Sequence, residues 1–138
     1  MAAFKLSVNK DEILKLIDEK LDEIADEIFA NSQQNIVDKQ IVDEGTLLKS
    51  GNINRSFLNK TIIYNTPYAD SIEYGRLPGS MPPVESIKGW VKRKGIANDE
   101  KDINRISWAI AQDIKKNGTE PRPFLEPAVE KVKNDRRI

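Results

Sequence analysis

The chain has 138 residues, 22 basic and 22 acidic side chains, and neither cysteine nor histidine. At this length one domain is expected, burying roughly two-thirds of its unfolded surface. The missing residue types exclude a disulfide framework, a thiolate zinc site, a cysteine nucleophile and the commonest general base. No apolar run approaches the ~18 residues of a membrane span, and the N-terminal residues lack a signal-peptide core. The expectation is therefore a soluble, intracellular protein without a membrane partner.

Charge is unevenly spread. Residues 1–45 hold five lysines against eleven acidic residues, and residues 46–138 hold seventeen basic against eleven acidic. Such polarity suits head-to-tail association, with an acidic face meeting a basic one, although a solvated accident produces the same count.

In chain order, Phe4, Leu6 and Val8 alternate with Lys5 and Ser7, the period of a short half-buried strand or of a frayed end. Asn9 is placed to cap the helix that follows, with Glu12 three residues on. That helix runs from residue 10 to about 30. Leu14, Ile17, Leu21, Ile24 and Ile28 form one apolar stripe. Asp18, Glu19, Asp22, Glu23, Asp26 and Glu27 make an acidic face whose i,i+4 repulsions each cost a few tenths of a kcal/mol. A solvated back explains this face; so does a basic partner, or an anionic surface that must not stick to something.

Asn31 to Lys39 turns polar, and fraying is expected there. Ile41 to Gly51 reads as a loop ending in a short helical turn. Ile53–Phe57 and Thr61–Asn65 read as a hairpin turning at Asn59-Lys60. Pro67 ends the second strand, and Tyr68 to Tyr74 fits a short helix stopped by Gly75. Pro82-Pro83 suits the start of a helix carrying Val84, Ile87, Trp90 and Val91 on one face. Asp99 to Asn117 forms the last long helix, with a stripe of Ile103, Ile106, Ile110 and Ile114 and a stop at Gly118. Trp108 lies roughly 140° off that stripe; it is either covered by another segment or used against a partner. Glu120 to Pro123 is extended, Leu125, Ala128 and Val132 share one side of a terminal helix, and residues 131–138 form a basic, mobile tail. The whole, 1–138, is expected to be one domain.

Chemistry is thinly represented. Asp70 and Glu73, at i,i+3, are a compact carboxylate pair that both reach one Mg²⁺, but no third ligand is indicated. Gly75 to Gly79 lacks the ending of a phosphate loop. Lys92, Arg93 and Lys94 with Arg136 and Arg137 offer phosphate contacts, against which stand the chain's neutrality and a Trp90 on the apolar face of its helix. The expectation is no catalytic residue, no cofactor and no metal.

Four segments, in order, carry a resemblance. Tyr68-Ala69-Asp70-Ser71-Ile72-Glu73-Tyr74-Gly75 resembles the "YA-x-x-(V/I)-E-(Y/F)-G" signature of the tail-completion proteins of tailed bacteriophages. Glu44-Gly45-Thr46-Leu47-Leu48-Lys49-Ser50 resembles that family's "T-G-x-L-x-x-S" loop. Gly79 to Trp90 resembles its "PP-x-x-x-I-x-x-W" helix start, and Arg122-Pro123-Phe124-Leu125 with Ala128 its closing "R-P-F-L-x-x-A". The similarity covers about residues 9–133. Glu44 stands where the family has Thr or Ser, and Arg76 where Thr or Ser follows "E-Y-G".

The resemblance implies an α+β fold, with a long N-terminal helix packed on a small antiparallel sheet and further helices. It also implies a structural virion protein of the neck or tail, a homo-oligomeric ring assembled in the host cytoplasm. That ring joins the head connector or adaptor to the tail-tube protein, with DNA passing through without specific binding. On this reading the exposed loop Arg76, Leu77, Pro78, Gly79, Ser80 and Met81, with Trp108, is the partner surface. The alternative function is a small nucleic-acid-binding module using residues 92–94 and the C-terminal tail.

Overall fold

The computed structural model describes all residues except 40, 42 and 43, and the backbone alone of Glu44. Helix α1 (Lys10–Asp38) is the spine. Asn9 caps it as expected, its Oδ1 accepting from Asp11 N and Glu12 N at 3.1 and 3.3 Å. Then follow α2 (Glu44–Ser50), β1 (Gly51–Ser56), β2 (Asn59–Tyr64), α3 (Ala69–Tyr74), α4 (Val84–Arg93), α5 (Glu100–Asn117) and α6 (Glu126–Arg136). The fold is α+β: a long N-terminal helix, a two-stranded antiparallel sheet and further helices. The hairpin and α6 pack on α1, while α4 and α5 pair with each other. The expected loop at 41–51 becomes α2 in its second part; its positions 42 and 43 lie outside the described residues.

The hairpin turn is two residues earlier than expected. Ser56 pairs with Asn59, so Phe57 and Leu58 make the turn and Asn59-Lys60 begin β2. Leu58 adopts φ 63°, unfavourable for a γ-branched residue. Its N–H donates to Asp18 Oδ1 on α1 at 2.8 Å, a tertiary bond that anchors the turn.

The polar end of α1 does not fray. It continues to Asp38, and Ser32, Gln33 and Asn35 turn inward with Ile36 while Gln34 and Asp38 stay exposed. Ser32 and Ile36 are fully buried. Ser32 Oγ donates to Phe29 O at 2.7 Å, which leaves Tyr64 OH to donate to Ser32 Oγ at 2.6 Å and to accept from Gln33 Nε2 at 2.8 Å. Tyr64 also stacks on Phe29 and meets Phe124 edge-on, with centroids 6.1 and 4.9 Å apart. Asn35 Nδ2 donates to Phe124 O at 3.0 Å. The core cluster of Ile36, Ile41, Leu47, Ala69 and Phe124 forms around this far end of α1, whereas Ile17, in the expected stripe, stays exposed near the other end.

Burial raises the Tyr64 phenol above its ordinary pKa of 10.0, against the opposing pull of its bonds to Ser32 and Gln33. A tyrosine whose folded pKa is raised contributes stability that is complete below the unfolded value and is lost as pH rises through the folded one. Urea unfolding of the native chain should therefore show an extra loss of stability above about pH 10 that Tyr64→Phe lacks. At neutral pH the variant should be weaker by about 1 kcal/mol for its broken network.

Residues 1–9 form no strand. Phe4, Leu6 and Val8 are 89, 83 and 74% exposed. The C-terminal residues are likewise unlike the expected tail: α6 extends to Arg136, and Val132 on its inner face is buried.

Candidate functional site

Of the residues singled out by sequence, Glu73 and the loop from Arg76 to Met81 lie where α3, the loop after it and the segment before α6 meet, whereas Trp108 lies on α5 and the acidic face on α1. Gly75 has φ 76° and ψ −179°, a region open only to glycine, which turns the chain sharply out of α3. A β-carbon there would lie 2.8 Å from Thr119 O and 2.9 Å from Pro121. Arg76 and Thr119 then exchange backbone hydrogen bonds at 3.0 and 2.9 Å, Arg122 N donates to Ile72 O at 2.7 Å, and Gly79 N donates to Lys115 O at 2.7 Å.

Glu73 lies at the centre. It is buried, and its carboxylate accepts from three successive backbone N–H groups: Phe124 and Leu125 on Oε2 at 2.8 and 3.0 Å, and Glu126 on Oε1 at 2.7 Å. These donors open α6, whose own N-cap residue, Leu125, offers no side-chain acceptor. A carboxylate at a helix N-terminus satisfies donors left without intrahelical partners and suits the helix dipole. Glu73 is thereby committed to structure. Its neighbour Asp70 is exposed, and no group of three or more possible metal ligands occurs among the described residues.

Beside this junction α3, α4 and α5 line a half-open cavity of about 500 Å³, with Tyr68, Ile72, Ile87, Trp90, Ile110 and Ile114 on its walls. Arg76 and Ile41 also reach it. Two donors on its lining side chains, Trp90 Nε1 and Arg76 Nε, are buried without a hydrogen-bond partner among the described residues. Its lining is mostly apolar, with Ser71, Ser86, Glu120 and Arg122 among the polar side chains.

The expected partner loop divides in two. Leu77 is 86% exposed, with Pro78, Gly79 and Ser80 also outside, while Arg76 and Met81 are half-buried. Arg76 Nη2 donates to Met81 O at 3.0 Å, closing the base of the loop. The loop is thus held from several sides and leaves the Leu77 side chain outside. Trp108 is 53% exposed on α5.

The acidic face of α1 is met from within the same chain. Lys60 pairs with Asp18 at 2.8 Å and lies 3.5 Å from Asp22. Arg55 pairs with Asp22 and Asp26 at 2.8 and 2.5 Å. Arg136 pairs with Glu27 and lies 3.6 Å from Glu23. Glu19 remains exposed. The bond to Lys60, with the Leu58 N–H, holds the Asp18 carboxyl below its ordinary range, and Arg136 does the same for Glu27. The charge repulsion within α1 is thus relieved by the hairpin and α6. These contacts also employ Arg136, one of the cations that phosphate binding would have required.

Sequence reading missed three functional assignments: Glu73 as the cap of α6, the inward-facing Ser32, Gln33 and Asn35, and the hairpin as the partner of the acidic face. Only the first left a signal, a carboxylate flanked by Ile72 and Tyr74 on a short helix.

Comparison with family profiles, curated proteins and solved structures gave no match for this chain.

Proposed function

We propose that the chain is a structural subunit of a tailed-bacteriophage virion, of the tail-completion type. It forms a homo-oligomeric ring at the neck between the head connector and the tail tube. The observation carrying this reading is that the four segments bearing the resemblance meet in space and depend on one another. Leu47 of the first, Ala69 of the second and Phe124 of the fourth share the core cluster. Glu73 of the second caps the helix opened by the fourth, and Trp90 and Ile87 of the third close the cavity against Tyr68 and Ile72 of the second. A set of short motifs that recur together is expected to do this if each is retained for one shared junction.

The role is assembly through surfaces rather than chemistry. Leu77 on its tethered loop and Trp108 on α5 are exposed apolar side chains that reach outward from the molecule, and such residues are suited to interface anchoring. Because the Leu77 side chain is exposed, Leu77→Glu should leave the unfolding free energy within about 0.5 kcal/mol while lowering the yield of complete particles from the encoding phage. The same purified particles should contain the native chain by mass spectrometry. Its absence from complete tailed particles would overturn the assignment.

A further inference from the structure

Two helix faces of this chain carry opposite charge at the same spacing. On α1, Glu12, Leu16, Glu19 and Glu23 follow one another by four, three and four residues, so they lie along one side of the helix. Lys15 and Lys20 flank that stripe on either side. On α5, Lys101, Arg105, Trp108, Gln112 and Lys115 follow by four, three, four and three residues and share a side in the same way. Each stripe sets a large apolar side chain among its charges. Leu16 is 63% exposed, with Ile13 and Ile17 exposed beside it, and Trp108 is exposed as well. A large exposed apolar side chain within a charged rim has the composition of an interface anchor.

These charges are the ones the fold leaves over. The hairpin and α6 take Asp18, Asp22, Asp26 and Glu27. Among the described residues no ion pair engages Glu12, Glu19, Lys101 or Lys115. Glu23 is shared between Lys20 at 3.1 Å and Arg136 at 3.6 Å. Arg105 reaches Asp102 only at 3.5 Å and keeps 71% of its side chain exposed, a pairing too weak to hold it.

The stripes also match in register. In an antiparallel crossing that sets Leu16 against Trp108, Glu19 stands three residues further along α1 and Arg105 three residues back along α5, so the two meet one turn away. Four residues beyond, Glu23 meets Lys101. Toward the other end Glu12 faces Gln112, with Lys115 one turn on. Every one of these residues is exposed in the single chain, so the match is not consumed within one molecule. Because the two faces differ, copies joined this way associate head to tail, each keeping one face free for the next.

We infer that the Glu12–Leu16–Glu19 face of α1 in one copy docks on the Trp108 face of α5 in the next, with Leu16 on the indole and Glu19 paired with Arg105. The apolar contact holds the copies together, and the charges set direction and partner. This deepens the ring reading by naming the contact between subunits; only closure into a ring rests on that reading. Single-stranded nucleic acid is the other anionic body that a tryptophan among cations accepts, its bases stacking on the indole, but it leaves the complementary α1 face without a part to play.

Sedimentation of the purified full chain at low salt, up to about 1 mM, tests the pairing. The native chain is expected to associate with rising concentration. Glu19→Lys alone, or Arg105→Glu alone, weakens this by about tenfold or more while keeping the circular dichroism spectrum and thermal midpoint, since both side chains are exposed. An equimolar mixture of the two variants retains one intact pairing, the native α1 face of one with the native α5 face of the other, and so stops at a 1:1 dimer. A native chain that stays monomeric, association undiminished in either variant, or a mixture that forms no dimer would each overturn the proposal. Oligothymidylate binding that Arg105→Glu loses and Glu19→Lys keeps, without association of the native chain, would assign the α5 face to nucleic acid instead. The measurement uses isolated protein, so its failure leaves the neck reading standing, and failure of the neck reading leaves it interpretable.

Discussion

Glu73→Ala lowers the unfolding free energy by about 3 kcal/mol, the largest effect expected of any single polar substitution in this chain. Three consecutive backbone donors lose a charged acceptor at once, and the buried one, Phe124 N, has little access to water because its residue is among the most buried of the chain. Loss of an ordinary helix cap costs about 0.5–2 kcal/mol; the excess comes from the number of bonds and from their charge. Glu73→Gln keeps one acceptor oxygen and should fall between. Asp70→Ala, on the exposed side of the same turn, should stay within about 0.5 kcal/mol. Urea unfolding measures all three, with an unchanged m-value showing that the same two states are compared. If the pair bound Mg²⁺ instead, both substitutions would abolish a metal-dependent rise in melting temperature; the native chain is expected to show no such rise.

Gly118→Ala and Gly75→Val should each cost more than about 3 kcal/mol and leave much of the chain insoluble. Both glycines combine a positive φ (71° and 76°) with a ψ near 180°, a region that other residues enter at about 1–3 kcal/mol. Steric overlap adds to that strain. A β-carbon on Gly118 would run into Arg76 O and sit 3.1 Å from Pro78 N. That carbonyl does not yield easily, because it accepts the Thr119 N–H at 2.9 Å. With total stabilities of about 5–15 kcal/mol for such domains, a loss of this size is read directly in soluble yield and thermal midpoint. Gly45→Ala is the control. It lies in α2, where a β-carbon would meet no described atom within 4 Å, so alanine there should be neutral or stabilising by up to about 1 kcal/mol.

Much of the architecture was legible in the sequence because it rests on local chemistry. The Asn9 cap, the α5 stripe ending at Gly118, the prolines before α4 and the two strand segments depend on residues adjacent in the chain. What was not legible depends on partners far along it. Asn59-Lys60 has better turn chemistry than Phe57-Leu58, yet the turn forms at the latter because Asp18, forty residues away, accepts the Leu58 N–H. The polar end of α1 reads as a fraying terminus to any scale of hydrophobicity, but Ser32, Gln33 and Asn35 find Tyr64 and Phe124 across the fold. The basic C-terminal residues read as a tail until Arg136 meets Glu27.

The candidate site divides the same way. Its segments were visible as motifs, and Gly75 announced a turn by its residue type. The cavity was not visible, since Ile72, Ile87, Trp90, Ile110 and Ile114 each look like ordinary core residues on separate helices and share a wall only once α3, α4 and α5 are assembled. The acidic face had no intrachain partner legible in the sequence; Arg55, Lys60 and Arg136, far along the same chain, meet Asp18, Asp22, Asp26 and Glu27 once the hairpin and α6 are packed on α1.

The proposed neck role is tested most directly by deleting the gene from the genome that carries it and imaging any phage particles produced. The assignment predicts DNA-filled heads and separate tails that fail to join, with joining restored by the native chain supplied in trans and not by Leu77→Glu. Complete, infectious virions formed without the chain would contradict it.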